Sequence, residues 1–339
     1  MIMVTGATGF LGAHVLFELV SKGYPVKALF RDQHKIVSVK RVFGYYVEDI
    51  TALWNRIEWV QGDVLDYFSL MEQLNGVTEV YHTAGMVSFN NRDKEKLNHI
   101  NIQGTANLVN ACLELGIEKL CHVSSIATLG ESNDSQPIDE NMFWNPGASA
   151  SAYAISKFRS EMEVWRGIHE GLKAVIVNPS VIIGPGMWMG SARQLLDRMN
   201  EGLNYYPQGS GGYVDVRDVA SAMIKLSEGD CFGDRYIVNA ENISHRHLLN
   251  HIADAMNRPR PSRPITPFLL KTVTMFEAVR SAFTGYPPRI TRKALEIATE
   301  EAFYSNRKIK DTVDIQFITV EESVKLSMPF FLSETASAN

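Results

Sequence analysis

The chain has 339 residues, 45% of them hydrophobic and 21% charged, with a formal net charge of −5. That size and apolar content predict one large α/β domain plus a smaller one, with disorder confined to the ends. Mild acidity and the lack of a Lys/Arg block argue against nucleic acid or an anionic membrane as the main partner. Cys112, Cys121 and Cys231 are scattered, show no metal spacing and cannot all pair, which fits a reducing cytoplasm. The first strand starts at the initiator Met, leaving no room for a signal peptide.

In chain order, Ile2-Met3-Val4 reads as a strand, and Thr5-Gly6-Ala7-Thr8-Gly9-Phe10-Leu11-Gly12 as a turn into an apolar helical run from His14 to Val20. Glycines there let the chain bend sharply, let backbone approach a pyrophosphate and let the helix pack close to the strand. The helix N-terminus then offers unpaired N–H groups and a partial positive charge to phosphates. The spacing is Gly-x-x-Gly-x-x-Gly, unlike the general Gly-x-Gly-x-x-Gly fingerprint. Further strands are predicted at Val26–Phe30, Ile57–Val60, Glu79–His82, Leu120–Val123 and Ala174–Val177, with helical runs between most of them. One such helix, Ile102 to Leu115, is ended by Gly116, and another ends near Gly171. Strands separated by helices imply a doubly wound parallel sheet with helices on both faces.

After Pro179 the pattern loosens into Gly184-Pro185-Gly186 and Gly209-Ser210-Gly211-Gly212. This predicts a smaller, interleaved C-terminal substrate region. The dinucleotide-binding domain is placed at 1–178, with later sheet elements near 213–243, around Val214 and Tyr236-Ile237-Val238. The substrate region takes 179–212 and 244–330, and 331–339 is a tail. The apolar stretch from Ile265 to Phe283 contains Lys271, Glu277 and Arg280, is too short and too charged to span a bilayer, and reads as a helix covering a pocket or a partner. Met187-Trp188-Met189, Phe268-Leu269-Leu270 and Phe276 read as an apolar pocket or as core. Ser244 caps a helix through Met256 on which His247 and His251 share a face. With no carboxylate or cysteine at ligand spacing, these and His245 are not read as a metal site.

In such a sheet ligands sit at the carboxyl ends of the strands. Asp63, in Gly62-Asp63-Val64, ends the third strand, where it accepts from an adenine amino group or caps the next turn. His82-Thr83-Ala84-Gly85 ends the fourth with small residues beside a cofactor path, and Ser124-Ser125 ends the fifth. Tyr153-Ala154-Ile155-Ser156-Lys157 starts the next helix, and its Tyr and Lys share one face, so that an ammonium near the phenol lowers its pKa. A proton donor at neutral pH needs that, because a free phenol titrates near ~10. Ser125 supplies a second hydrogen bond to a substrate oxygen. A second copy of the spacing, Tyr304-Ser305-Asn306-Arg307-Lys308, lies away from any glycine turn or strand end and reads as structural.

Together with Asn101 in Asn101-Ile102-Gln103-Gly104-Thr105, Asn178-Pro179-Ser180-Val181-Ile182-Ile183-Gly184-Pro185 and Tyr213-Val214-Asp215-Val216-Arg217-Asp218-Val219-Ala220, these motifs resemble the extended short-chain dehydrogenase/reductase family, also called NAD-dependent epimerase/dehydratases. Within it the chain looks most like the dihydroflavonol-reductase-like branch. The resemblance covers most of the chain and implies an NAD(P)-binding Rossmann fold. It makes Tyr153 the catalytic acid/base, Lys157 a ligand of the nicotinamide ribose that tunes Tyr153, and Ser125 the holder of the reacting oxygen. Asn101 orders the region behind Lys157, and Pro179 to Val181 border the nicotinamide. Gly6, Thr8, Gly9, Phe10, Leu11, Gly12, Asp63, Val64, Thr83, Ala84 and Gly85 complete the implied cofactor site.

At the end of the second strand, Phe30 is followed by Arg31, and a cation there suits a 2′-phosphate. NADP(H) is therefore favoured, and Asp32 keeps NAD(H) as the alternative. Gly211-Gly212-Tyr213-Val214-Asp215 lacks the Arg that sugar-nucleotide members commonly carry for the diphosphate. The resulting expectation is NADPH-dependent reduction of a carbonyl, or the reverse alcohol oxidation, on a small to medium, partly apolar substrate. Its alternatives are a sugar-nucleotide epimerase or dehydratase with retained NAD, and a non-catalytic dinucleotide sensor, disfavoured because Ser125, Tyr153 and Lys157 are all in place. The resemblance also implies a cytoplasmic homodimer, paired through Ile102–Leu115 and Tyr153–Glu170 as a four-helix bundle.

Overall fold

Runs such as Ile2–Val4 and Ala174–Val177 are apolar at every position, as a parallel strand covered on both faces requires. In the computed structural model, which describes all residues except 131–135, 143, 145–149, 187, 189, 267–271, 273–274, 276–279, 281–298 and 338–339, each becomes a buried strand. The strands are β1 (Ile2–Thr5), β2 (Val26–Phe30), β3 (Ile57–Gln61), β4 (Glu79–His82), β5 (Lys119–Val123), β6 (Ala174–Pro179), β7 (Val181–Ile183), β8 (Tyr205–Tyr206), β9 (Ser210–Asp215), β10 (Asp234–Val238), β11 (Glu241–Ser244) and β12 (Arg263–Pro264). The helices are α1 (Phe10–Ser21), α2 (Ile36–Gly44), α3 (Thr51–Trp54), α4 (Tyr67–Gln73), α5 (Lys94–Leu97), α6 (Gly104–Leu115), α7 (Ala152–His169), α8 (Gly190–Glu201), α9 (Val216–Glu228), α10 (His245–Ala255), α11 (Arg307–Thr312) and α12 (Val320–Ser337).

Seven parallel strands form the main sheet in the order β10-β6-β5-β4-β1-β2-β3. The chain winds outward one way through β1, β2 and β3 and the other way from β4, so the topological switch lies between β1 and β4, where ligands bind in such sheets. Successive side chains point to opposite faces. Ile2, Val4, Ala28, Cys121, Val175 and Val177 pack with α1 and α9 on one face, and Met3, Leu29, Val80, Leu120 and Ile176 with α4, α6 and α7 on the other. Gly116, in the left-handed conformation at φ +66, ends α6 as expected. Ser151 and Ser244 accept backbone N–H bonds as caps of α7 and α10.

Two expectations about the second region are corrected. Val214 lies in β9, which pairs with β7 and β11 in a separate three-stranded sheet; of the elements near 213–243, β10 alone joins the main sheet. Both strands are short and carry only a few apolar residues, Tyr213-Val214 and Tyr236-Ile237-Val238, and the sequence pattern carries no mark of which sheet receives them. Residues 331–337 are no tail: they continue α12, and Phe331 is 0% exposed in a cluster with Leu196, Met199, Tyr213 and Leu249. Trp188 packs edge-on against Phe331, so it belongs to this core, whereas Met187, Met189, Phe268, Leu269, Leu270 and Phe276, with most of the stretch from Ile265 to Phe283, lie outside the described residues. Asp215 fastens the region to the sheet domain. It caps α9, pairs with Arg217 through two oxygens, and accepts the Ser323 hydroxyl of α12 at 2.5 Å.

Among the described residues no helix is long and apolar enough to cross a membrane. Phe331→Ala deletes a ring buried on all sides, and a loss of about 3–5 kcal/mol is expected from urea unfolding; an unchanged midpoint would show that α12 is dispensable to the core.

Candidate functional site

The turn after β1 is shaped by what surrounds its glycines. Gly6 takes φ +70, and a Cβ there would sit 2.5 Å from the Ala84 nitrogen, so β1 and the end of β4 approach as closely as two backbones can. A Cβ on Gly12 would overlap the Gly6 carbonyl oxygen, and the Gly9 N–H donates to that same oxygen at 2.8 Å. No side chain caps α1 at Gly9, which leaves the N–H groups of its first turn, at Phe10, Leu11 and Gly12, for an anionic ligand. Thr8 is half-buried at the same turn. The cradle fits a pyrophosphate.

At the far end of the cleft, Arg31 stands exposed after β2, with Nη1 3.6 Å from Asp63 Oδ2. Asp63 also accepts the Leu65 N–H at 3.0 Å, so the carboxylate caps its turn and faces Arg31 together. Asp32 is spent locally on the His34 N–H. Val64 is buried against Gly104, and its carbonyl accepts from Asn107 at 3.0 Å, which ties this edge to α6.

The segment after β4 is held from both sides. Thr83 donates to the Thr5 carbonyl at 2.7 Å. Asn101 lies in a π-helical turn, Asn98–Gln103, that precedes α6, a rare geometry that recurs at functional sites. Its Oδ1 accepts the Met86 N–H at 2.7 Å, and its Nδ2 donates to the Met86 carbonyl and to Ser156 Oγ at 3.0 and 2.9 Å. Asn101 therefore links the Gly85-Met86 segment to the first turn of α7.

Ser125 follows β5 and caps a single 3₁₀ turn, Ile126–Thr128, accepting the Ala127 N–H at 3.2 Å. Its hydroxyl proton is then free to point at Tyr153, in the first turn of α7. Burial pushes the Tyr153 phenol up, and the Ser125 hydrogen bond opposes that. Burial also pushes the Lys157 ammonium down, to about 8, with Glu161 opposing. Lys157 donates to the Val123 carbonyl at 2.6 Å. The expected lowering of the phenol by the ammonium is thus not what the geometry holds: burial dominates, and Ser125 supplies the relief. Pro179 is buried at the end of β6, whereas Val181 is 50% exposed.

A sequence profile of the NAD dependent epimerase/dehydratase family matches residues 2–238, from β1 to the end of β10. The chain belongs to that family. Among curated relatives, a Synechocystis sp. protein bearing the name of a dihydroflavonol 4-reductase is 28% identical over 97% of this chain and 93% of its own length. Cinnamoyl-CoA reductase 1 of Petunia hybrida is 28% identical over 78% of this chain and 79% of its own. Among solved structures, gox2253 superposes with a TM-score of 0.80 at 28% identity, covering 98% of each chain. Gre2 of Candida albicans, solved with NADPH, does so with 0.75 at 22% identity, again over 98% of each. These likenesses make the chain an NAD(P)-dependent enzyme of the extended short-chain dehydrogenase/reductase type, on its dihydroflavonol-reductase-like branch.

For this family member, several polar residues around the site escaped the sequence reading. Glu161 is fully buried one turn beyond Lys157; its place on the Tyr153–Lys157 stripe was a signal that could have found it. His82 and His122 are paired across β4 and β5 with ring centroids 5.2 Å apart. Thr105 donates to the Asn101 carbonyl, so His82 Nε2 must donate to Thr105 and its Nδ1 accept from Thr5. Val87 and Phe89 are 69% and 41% exposed, and the Phe89 ring meets Tyr153 edge-on at 5.6 Å. Among the described residues no group of three His, Cys, Asp or Glu could hold a metal ion.

Gly12→Ala forces the turn open at the Gly6 carbonyl. It is expected to weaken NADPH binding by calorimetry at least about tenfold, or about 1.4 kcal/mol, while Gly44→Ala, with open space around its Cα, leaves binding unchanged. Equal affinity in Gly12→Ala would mean the ligand does not use this turn.

Proposed function

We propose that this protein is an NADPH-dependent carbonyl reductase, or the matching alcohol dehydrogenase, for a small to medium, partly apolar substrate, with Ser125, Tyr153 and Lys157 as its catalytic residues. The observation that carries this reading is the Lys157 bond to the Val123 carbonyl at 2.6 Å, which brings the Tyr153–Lys157 face of α7 to the end of β5, where Ser125 caps the following turn. A bound nicotinamide dinucleotide supplies the hydride. The chain's own residues manage the oxygen. Ser125, its lone pair engaged by the Ala127 N–H, donates to the carbonyl oxygen. Tyr153, kept protonated by burial, holds the proton that the oxygen takes as negative charge builds on it. Lys157 keeps an ammonium beside them at neutral pH, because about 8 still lies above it.

The apolar rim of Val87, Phe89 and Val181 supports a substrate with an apolar body. NADPH over NADH is supported by the exposed Arg31 guanidinium and by the local engagement of Asp32. Homodimer assembly through α6 and α7 belongs to the same proposal; Leu115 and Met162 on those helices are large apolar side chains left partly exposed.

The test is a panel of cinnamoyl-CoA, cinnamaldehyde, a dihydroflavonol and UDP-glucose, followed by the nicotinamide absorbance. Net oxidation of NADPH with a carbonyl supports reduction, whereas conversion of UDP-glucose without net oxidation would replace it with epimerisation. Tyr153→Phe should lower kcat at least about a hundredfold, within the ~10²–10⁴ range of general acids, with NADPH affinity kept. Lys157→Met should weaken both. Tyr304→Phe should change neither, and an equal loss there would mean the wrong tyrosine has been assigned. Arg31→Ala should cut the preference for NADPH over NADH about tenfold, the scale of one charged hydrogen bond; a native preference for NADH would overturn the cofactor assignment.

A further inference from the structure

Resting on that reading of the site, we propose that Glu161 is the positioning residue of the catalytic turn: its buried carboxylate fixes the Ser125 peptide through Thr128 and Asn178 and supplies the counter-charge for the Lys157 ammonium. Glu161 has no solvent contact. Its Oε2 lies 2.5 Å from Ser124 Oγ, 2.8 Å from Thr128 Oγ1 and 3.0 Å from Asn178 Nδ2. Its Oε1 takes Arg235 Nη1 at 3.1 Å and Trp165 Nε1 at 3.3 Å. The donors come from the turn after β5, from β6, from β10 and from α7 itself.

The protons can be counted. An ionised carboxylate only accepts, so the Ser124 proton goes to Oε2, and the Thr128 proton has two acceptors in reach, Oε2 at 2.8 Å and the Ser125 carbonyl at 2.9 Å. Asn178 Nδ2 shares its two protons among Thr128 Oγ1, the Ser125 carbonyl and Oε2, at 3.0, 3.1 and 3.0 Å. The Thr128 N–H donates to that carbonyl too, at 3.1 Å. With Glu161 ionised, the Ser124 and Thr128 hydroxyls and the Asn178 amide all have an acceptor on one carboxylate oxygen. A neutral carboxyl would have to donate to one of these hydroxyls, turning it around and redistributing the bonds that Thr128 and Asn178 make to the Ser125 carbonyl. The residue lies one turn from Lys157 and two from Tyr153, so all three occupy one stripe of α7.

The titratable groups facing Lys157 are Tyr153 and Glu161 on α7, His82 on β4 and His122 on β5; burial holds both imidazoles well below their ordinary value, hence neutral. Glu161 opposes the burial that pulls Lys157 down. Removing its charge lets the ammonium titrate at lower pH, so the alkaline limb of turnover moves down.

The experiment compares Glu161→Gln, Glu161→Asp, Thr128→Val and Trp165→Phe, using NADPH and whichever carbonyl of the panel above the unmutated protein reduces. Glu161→Gln should lose about tenfold or more in kcat, as small misplacements of reacting groups do, and its alkaline limb should fall below that of the parent. Glu161→Asp should restore the limb part-way. Thr128→Val leaves the buried charge paired and answers the question if Glu161→Gln does not fold: kcat should fall about tenfold with the limb unmoved and NADPH affinity within about twofold. Trp165→Phe removes a donor on the side away from the turn and should keep kcat within about twofold. Parental kcat in Thr128→Val, or a limb in Glu161→Gln that coincides with the parent's, would overturn the positioning role alone. A parent that reduces no carbonyl overturns the reading beneath it and this one together.

Discussion

Putting an ammonium and a carboxylate on one buried stripe of a helix costs several kcal/mol per ion unless partners meet each of them. The arrangement around α7 answers that constraint. Lys157 spends a proton on the Val123 carbonyl, at the end of β5. Glu161 gathers donors from two strands and a turn, and Arg235 adds a buried counter-charge while its other protons go to the Glu140 and Met142 carbonyls. The ends of β5, β6 and β10 are thereby pinned to one helix, and the Ser125 turn is rigid for the same reason that the charges are tolerated. Stability and orientation of the site are here one set of hydrogen bonds.

The glycine turn depends on a different constraint, the absence of side chains. Gly6 and Gly12 let β1, α1 and the end of β4 meet at backbone distance, and Thr83 locks that approach by bonding to the Thr5 carbonyl. In the proposed reading the phosphates and the reacting carbonyl are thus handled by different means. Main-chain N–H groups at a helix N-terminus need only space, while a proton donor needs burial and a partner to set its ionisation.

Most of the parallel sheet, the place of Ser125 after β5 and the shared helical face of Tyr153 and Lys157 were legible because they rest on local pattern: apolar runs between helical runs, a glycine turn after the first strand, a tyrosine and a lysine one turn apart. What was not legible depends on distant chain. Nothing local distinguishes β9, in the small sheet, from β10, in the large one. The π-helical turn at Asn98–Gln103 follows from Asn101 bonding back to Met86, not from helix propensity. Residues 331–337 looked like a tail because small and polar side chains, Ser333 to Ser337, follow Leu332, yet the Phe331 ring finds a pocket among α8, β9 and α10.

The two Tyr-x-x-x-Lys copies make the same point from within one chain. Tyr304 precedes α11, which begins at Arg307, so Tyr304 and Lys308 do not share a helical face. Lys308 turns away to Asp234 and lies over the Tyr236 ring. The Tyr304 backbone is stapled by Asn239 and Asn242, while burial pushes its phenol up to about 12 with Glu300 adding to the rise. No serine hydroxyl relieves it. Burial raises Tyr153 too, but Lys157 shares its helical face, and the Ser125 side chain opposes the rise from a turn that Thr128 and Asn178 hold. Spacing puts a phenol and an amine on offer; in the proposed reading, whether they do chemistry is decided by the peptide that presents the third group.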